Sequence, residues 1–246
     1  GDYDKLDREH CMLKVPDQNQ KPVHGKSFNR EKHVLDHEWE PKPRRFTVVG
    51  VDTSGLNPAA TFFQEELGVG HVLTTELYGK DLSIYQFADL IEMLTTDTPA
   101  EKGGKGYYDK ANMILVCDPA DTKNQGTLLT PVEVFKQRGF MAICAESNVI
   151  DIRLNAMRKL LEAVEPPLRL YISSHCQMVI DGLESKHVFK RIPNTTEYYV
   201  KPNKNSIYSH YIDSAEYAAL YISSNANTRE ILSDIPAIPA PKVRYL

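Results

Sequence analysis

Three aspartates stand where a short carboxylate side chain can be aimed. Asp52 closes the apolar run Phe46-Thr47-Val48-Val49-Gly50-Val51, and Asp118 closes Met113-Ile114-Leu115-Val116-Cys117, so both read as strand ends. Asp213 lies in Ser209-His210-Tyr211-Ile212-Asp213-Ser214-Ala215-Glu216-Tyr217. A Ser N-cap there, with apolar residues at Ile212, Ala215, Ala219 and Ile222, predicts the first turn of a helix. Carboxylates from two strand ends and one helix can converge on divalent ions. Hard cations such as Mg²⁺ and Mn²⁺ take oxygen ligands, and two ions about 3.5–4 Å apart need several carboxylates. One ion would activate water and the other would stabilise the leaving oxygen of a phosphodiester, with no protein nucleophile. The leading chemistry is metal-dependent phosphodiester hydrolysis, with Asp52, Asp118 and Asp213 as ligands of two ions. Mutual repulsion would make the unoccupied carboxylates costly, so metal should order the site.

Each aspartate also has a plainer role: a turn former at a strand end for Asp52 and Asp118, a favourable charge near a helix start for Asp213. Glu76, in the third strand, points either toward the site or, the favoured reading, toward solvent, and Asp109 and Asp121 are expected at solvent. Cys11, Cys117, Cys144 and Cys176 are far apart and show neither zinc spacing nor a disulfide framework, which favours buried thiols. Residues 186–205 are basic, carrying Lys186, His187, Lys190, Arg191, Lys201 and Lys204 against Glu197. With Phe189, Tyr198 and Tyr199 interleaved, Lys190, Arg191, Lys201 and Lys204 are the candidate contacts for a DNA backbone.

The elements that must position these residues follow from patterning. Residues 46–52, 59–65 and 70–78 read as three consecutive strands, an antiparallel meander, and 83–95 as an amphipathic helix. From the strand ending at Asp118 onward, strands near 140–145 and 168–172 alternate with helices near 130–138, 147–164 and 174–184, which predicts parallel pairing. A hairpin of 187–191 with 197–201 precedes the helix of Asp213. The order matches a ribonuclease H-like fold: α/β, a mixed central sheet flanked by helices. Residues 1–45, polar and Pro-containing, read as a linker or N-terminal extension, 46–224 as the folded domain, and 225–246 as a Pro-rich tail.

Composition is that of an ordinary globular chain: 246 residues, 41% hydrophobic and 25% charged, enough to bury one core. No apolar run approaches the roughly 20 residues that span a bilayer. A net charge of -4 argues against indiscriminate coating of nucleic acid, so DNA binding should be weak and salt-sensitive. No reading helix is recognisable, and phosphate contacts alone give nearly non-specific cutting.

The string Gly50-Val51-Asp52-Thr53-Ser54-Gly55-Leu56-Asn57-Pro58-Ala59-Ala60-Thr61-Phe62 resembles the opening of the nuclease domain of large terminase subunits of tailed bacteriophages. Cys117-Asp118-Pro119-Ala120 resembles that family's second acidic motif, and Ser209 to Tyr217 its third, Ser-His-x-x-Asp-Ala-x-x-Tyr. The segment Asn148 to Leu161, with Ile152-Arg153 and Ala156, is similar too, and the resemblance runs from Phe46 to Ser223. It implies an endonuclease that cuts concatemeric viral DNA during genome packaging in the host cell cytoplasm. It also implies metal ligation by Asp52, Asp118 and Asp213, a catalytic part for His210, Mg²⁺ or Mn²⁺ as cofactor, and as partners duplex DNA, the portal protein, the small terminase subunit and an ATPase motor domain. Two departures stand out: Ser214 replaces the more usual Ala, and Thr122-Lys123-Asn124-Gln125 lacks an expected Arg. Gly25-Lys26-Ser27 is not a phosphate-binding loop, because Gln20 stands where the first Gly is needed. With Gly1 first, the chain reads as an excised C-terminal nuclease domain whose residues 1–45 led to the motor. The alternatives are another ribonuclease H-like nuclease, such as a junction resolvase or transposase, and a non-catalytic packaging module.

Overall fold

The computed structural model describes residues 19–53, 55–120 and 129–233, the last seven of these as backbone. Cys11, Asp121, the 122–125 loop and the Pro-rich stretch 236–241 lie outside the described residues.

Strands β2 (Thr47–Asp52) and β5 (Met113–Cys117) are buried at every residue. A strand covered on both faces has no solvent side, which is why each reads as an unbroken apolar run. β2, β3 (Ala59–Glu66) and β4 (Gly70–Tyr78) form the expected antiparallel meander. β5 lies parallel to β2, β6 (Met141–Cys144) parallel to β5, and β7 (Leu170–Ile172) parallel to β4. The six-stranded mixed sheet runs β6-β5-β2-β3-β4-β7.

Helices cover both faces. Alternate side chains of a strand point to opposite sides. Val49, Val51, Leu115 and Cys117 therefore pack with α2 (Ile84–Met93) and α3 (Pro131–Gln137). Val48, Ile114 and Val116 pack with α4 (Ile150–Glu162), α5 (Gln177–Asp181) and α6 (Ile207–Ser233). Both α2 and α3 start with a capping box, Ser83 with Gln86 and Thr130 with Glu133, which satisfies orphan amides of the first turn. By the same alternation Gly50, Asp52 and Asp118 face the α4–α6 side. Gly50 lets α6 lie directly on the sheet: a Cβ there would stand 1.8 Å from the Ser214 carbonyl oxygen and 2.9 Å from the Ala218 amide nitrogen.

Three expectations need correction. The segment read as a linker is packed on the domain from residue 20 onward. β1 (Gln20–Pro22) pairs with β8 (Val188–Lys190), Phe28 enters the core, and His33, in the single turn α1 (Arg30–His33), meets the Leu161 carbonyl at 2.7 Å. The expected hairpin is present, with Arg191 bridged antiparallel to Tyr198, Ile192 N donating to Glu197 O and Tyr199 N to Lys190 O, while the ladder partner of β8 is β1. Helix α6 runs through residue 225 to Ser233, past the boundary set for the tail. Cys144 is exposed, because β6 is an edge strand, whereas Cys117 and Cys176 are buried thiols as expected. Among the described residues no helix is long and apolar enough to cross a membrane.

Candidate functional site

Register places the first two acids. Thr47 pairs with Met113 and so on to Val51 with Cys117, so Asp52 and Asp118 follow side by side at the C-terminal ends of adjacent parallel strands. The Asp118 amide donates to the Val51 carbonyl at 3.1 Å, extending the ladder by one step. Carboxyl ends of such strands are where open α/β sheets bind ligands. Helix α6, resting on Gly50, brings the third acid to this end. One turn of it carries both His210, whose Nδ1 lies 2.8 Å from Asp52 Oδ2, and Asp213. Asp52 is thus bound to the helix that holds Asp213.

Cations answer these charges. The Lys204 ammonium donates to both oxygens of Asp213. Arg153, from α4, lies 3.4 Å from Asp213 Oδ1 through Nη1 and 3.9 Å from Glu216 Oε2 through Nε, pairing charge without hydrogen-bond geometry. Its guanidinium also covers the Tyr217 ring at 4.7 Å. Glu216 in turn meets His24 Nε2 at 3.1 Å in a fully buried contact. The Tyr217 hydroxyl donates to Asn148 Oδ1 at 3.0 Å. Burial raises the Tyr217 phenol, Arg153 opposes this, and the Asp118 carboxylate raises it further, so Asp118 acts on the same helix face.

Protonation follows from these contacts. The hydrogen bond to Asp52 raises His210 above the usual histidine range despite partial burial. Burial, joined by Glu216 one turn away, pushes Asp213 up to about 7 against the pull of Lys204 and Arg153. Burial acts upward on Glu216 too, but His24 and Arg153 outweigh it and hold that carboxyl below its usual range.

Of the residues expected at the site, Asp52, Asp213 and His210 are brought together, Asp118 stands beside Asp52, and Lys204 contacts Asp213. Lys190 and Lys201 are exposed, and Arg191 donates its Nε to the Thr195 carbonyl within the hairpin turn. Glu76 does not face solvent: it accepts hydrogen bonds from the amides of Met178 at 3.0 Å and Val179 at 2.8 Å. Sequence reasoning missed Arg153, Glu216 and His24. Glu216 carried a signal, since acids three residues apart on a helix share a face and need a common cation. His24 carried none, being 192 residues from its partner.

Among the described residues no three His, Cys, Asp or Glu side chains are grouped closely enough to hold one metal ion. The donor set nevertheless suits a hard divalent cation. Asp52, Asp118 and Asp213 offer oxygens alone, and a cationic ammonium already lies across both oxygens of Asp213, in the place of an ion bound by a chelating carboxylate.

No protein-family model matches the chain, and no curated protein matches its sequence. Solved structures do. The large terminase nuclease domain of phage P22 is similar with a TM-score of 0.56 and 11% identity, over 85% of this chain and 95% of that one. The large terminase nuclease of thermophilic phage G20c is similar at 0.51 and 11%, over 82% and 97%. The same nuclease with bound cobalt gives 0.50 and 13%, over 85% and 98%. Identity this low speaks for architecture alone: the chain has the ribonuclease H-like fold found in large terminase nuclease domains.

Proposed function

We propose that this chain is the nuclease domain of a large terminase subunit, a divalent-metal-dependent DNA endonuclease that cuts concatemeric viral DNA in the host cytoplasm during packaging. The supporting observation is the His210–Asp52 hydrogen bond, which ties Asp52 to the helix turn that carries Asp213, with Asp118 at the adjacent strand end. The fold adds to it, since the solved likenesses are terminase nucleases and one of them carries bound cobalt.

Asp52, Asp118 and Asp213 would hold Mg²⁺ or Mn²⁺, two ions in this reading. Bound there, the metal would supply an activated water and stabilise the leaving oxygen. The protein's own groups orient and bind. His210 fixes one oxygen of Asp52 through Nδ1, which leaves its other ring nitrogen for a phosphate oxygen. Arg153 sets positive charge beside Asp213 and Glu216. Lys190, Arg191, Lys201 and Lys204 would contact DNA phosphates without reading sequence. The portal, the small terminase subunit and a motor domain joined through residues upstream of 46 are the partners proposed with this reading.

Supercoiled plasmid incubated with Mn²⁺ provides the test. Asp52→Ala and Asp213→Ala should each slow nicking by about 100-fold or more, since even groups that merely orient metal ligands are worth about 10–100-fold. Nicking at the parental rate by either variant would refute the assignment.

A further inference from the structure

Two cations hold Asp213, and only one of them can leave. Arg153 is 4% exposed and lies on the inner side, paired also with Glu216. Lys204 reaches the carboxylate from the solvent side, its side chain 43% exposed while that of Asp213 is 11% exposed. The root of Lys204 is fixed. Asn203 N donates to the Val188 carbonyl at 2.8 Å, and Ser209 Oγ donates to the Lys204 carbonyl at 3.2 Å. A four-carbon stem on an anchored root can swing its ammonium into water, where it is well hydrated.

The geometry points to Lys204 as an internal counter-cation that closes Asp213 to divalent ions, so that metal binds only when the lysine is displaced. This rests on Asp213 being a metal ligand. Ammonium and divalent ion compete for the same oxygen lone pairs and repel each other at ligand distances, so both cannot be held there together. The affinity measured for a metal is then the intrinsic affinity lowered by the fraction of molecules in which the lysine is swung out. Lys204 acts as a cation that the chain carries to its own site.

Mn²⁺ binding to the full chain, followed by the electron paramagnetic resonance of free Mn²⁺ and by titration calorimetry at fixed pH and ionic strength, tests this without reference to activity. Lys204→Met keeps the stem and removes the charge; it should bind Mn²⁺ about tenfold tighter, the gain expected if the closed form outnumbers the open by that ratio. Lys204→Gln, which retains a neutral hydrogen bond to Asp213 and spares the fold, should also tighten binding, by less. Unchanged or weaker binding by both folded variants overturns the counter-cation role. Asp213→Asn separates the two ideas. If it binds Mn²⁺ as the parent does, the metal-ligand assignment itself fails, whatever the lysine variants do.

Discussion

Glu76 and Asp213 are both pushed up to about 7, with burial as the largest cause in each, but their partners differ. Asp213 faces two cations, the buried Arg153 and the half-exposed Lys204, whereas Glu76 faces two fixed amides of α5 that favour its charged form without matching its desolvation. Glu76 is not one of the proposed ligands and gives a pH test of its own. Its folded pKa lies above the unfolded value, so the folded chain holds the proton more tightly. The stability this provides is complete below about pH 4.5 and is lost as pH rises through about 7. At about 1.4 kcal/mol per unit, the loss across that window is on the order of 2–3 kcal/mol. Glu76→Gln should begin about 1 kcal/mol less stable, having one acceptor oxygen for two amides, and should then show a clearly shallower decline. Urea unfolding of parent and variant at intervals from pH 5 to 7.5 reads the difference in slope. Equal slopes would mean that Glu76 titrates at its ordinary value.

Helix α6 is the element on which the site depends, because it carries His210, Asp213 and Glu216 and touches the sheet at a residue with no side chain. Gly50→Ala puts a methyl carbon into the Ser214 carbonyl and the Ala218 amide. Both obstacles are backbone, so the helix must lift. Overpacking of this kind typically costs about 1–3 kcal/mol, and lifting α6 also separates His210 from Asp52. The variant should unfold several degrees lower in a thermal melt and bind Mn²⁺ more weakly than the parent; an unchanged melt would mean the helix is not seated as described. The sequence showed much of this arrangement. A buried strand reads as an apolar run, and an acid that ends the run marks its tip, so Asp52 and Asp118 were legible. The apolar spacing placed Asp213 on a helix, but Ser209 is not its N-cap: α6 begins at Ile207, Ser209 lies in its first turn with Oγ donating to the Lys204 and Ser206 carbonyls, and Asp213 is in the second turn. Glu76 was not legible, because β4 contains a bulge: Phe62 pairs with Thr75 and Phe63 with Leu73, leaving Thr74 extra. One extra residue reverses the alternation, so Leu73 and Glu76 face the same side although three apart. Lys204 and Arg153 were hidden for a different reason. Their contacts with Asp213 come from loop and helix placement, which no local pattern encodes.

Across the whole molecule, the segment from residue 20 to 37 connects parts of the site that are distant in sequence. β1 pins β8, whose Val188 carbonyl anchors Asn203 beside Lys204, while His24 closes the buried chain His24–Glu216–Arg153–Asp213. Further along, Leu35 N donates to the Ile172 carbonyl at 2.9 Å on β7. The segment lacks periodicity because it is held by isolated residues, Val23, His24, Phe28 and His33, and not by a continuous face. Its removal should therefore act as a core mutation. Losing a buried Phe such as Phe28 typically costs about 3–5 kcal/mol, and leaving the Glu216 carboxylate without His24 costs a comparable amount. Together these approach the roughly 5–15 kcal/mol that holds an ordinary domain folded. A chain starting at Glu38 should then lose its cooperative thermal transition, or melt far below the parent, and bind Mn²⁺ poorly. His24→Ala in the full chain should show a milder form of the same defect, a few kcal/mol by urea unfolding. If the shortened chain melts like the parent, the segment is a tether laid on the surface, and the His24 link to Asp213 carries no weight.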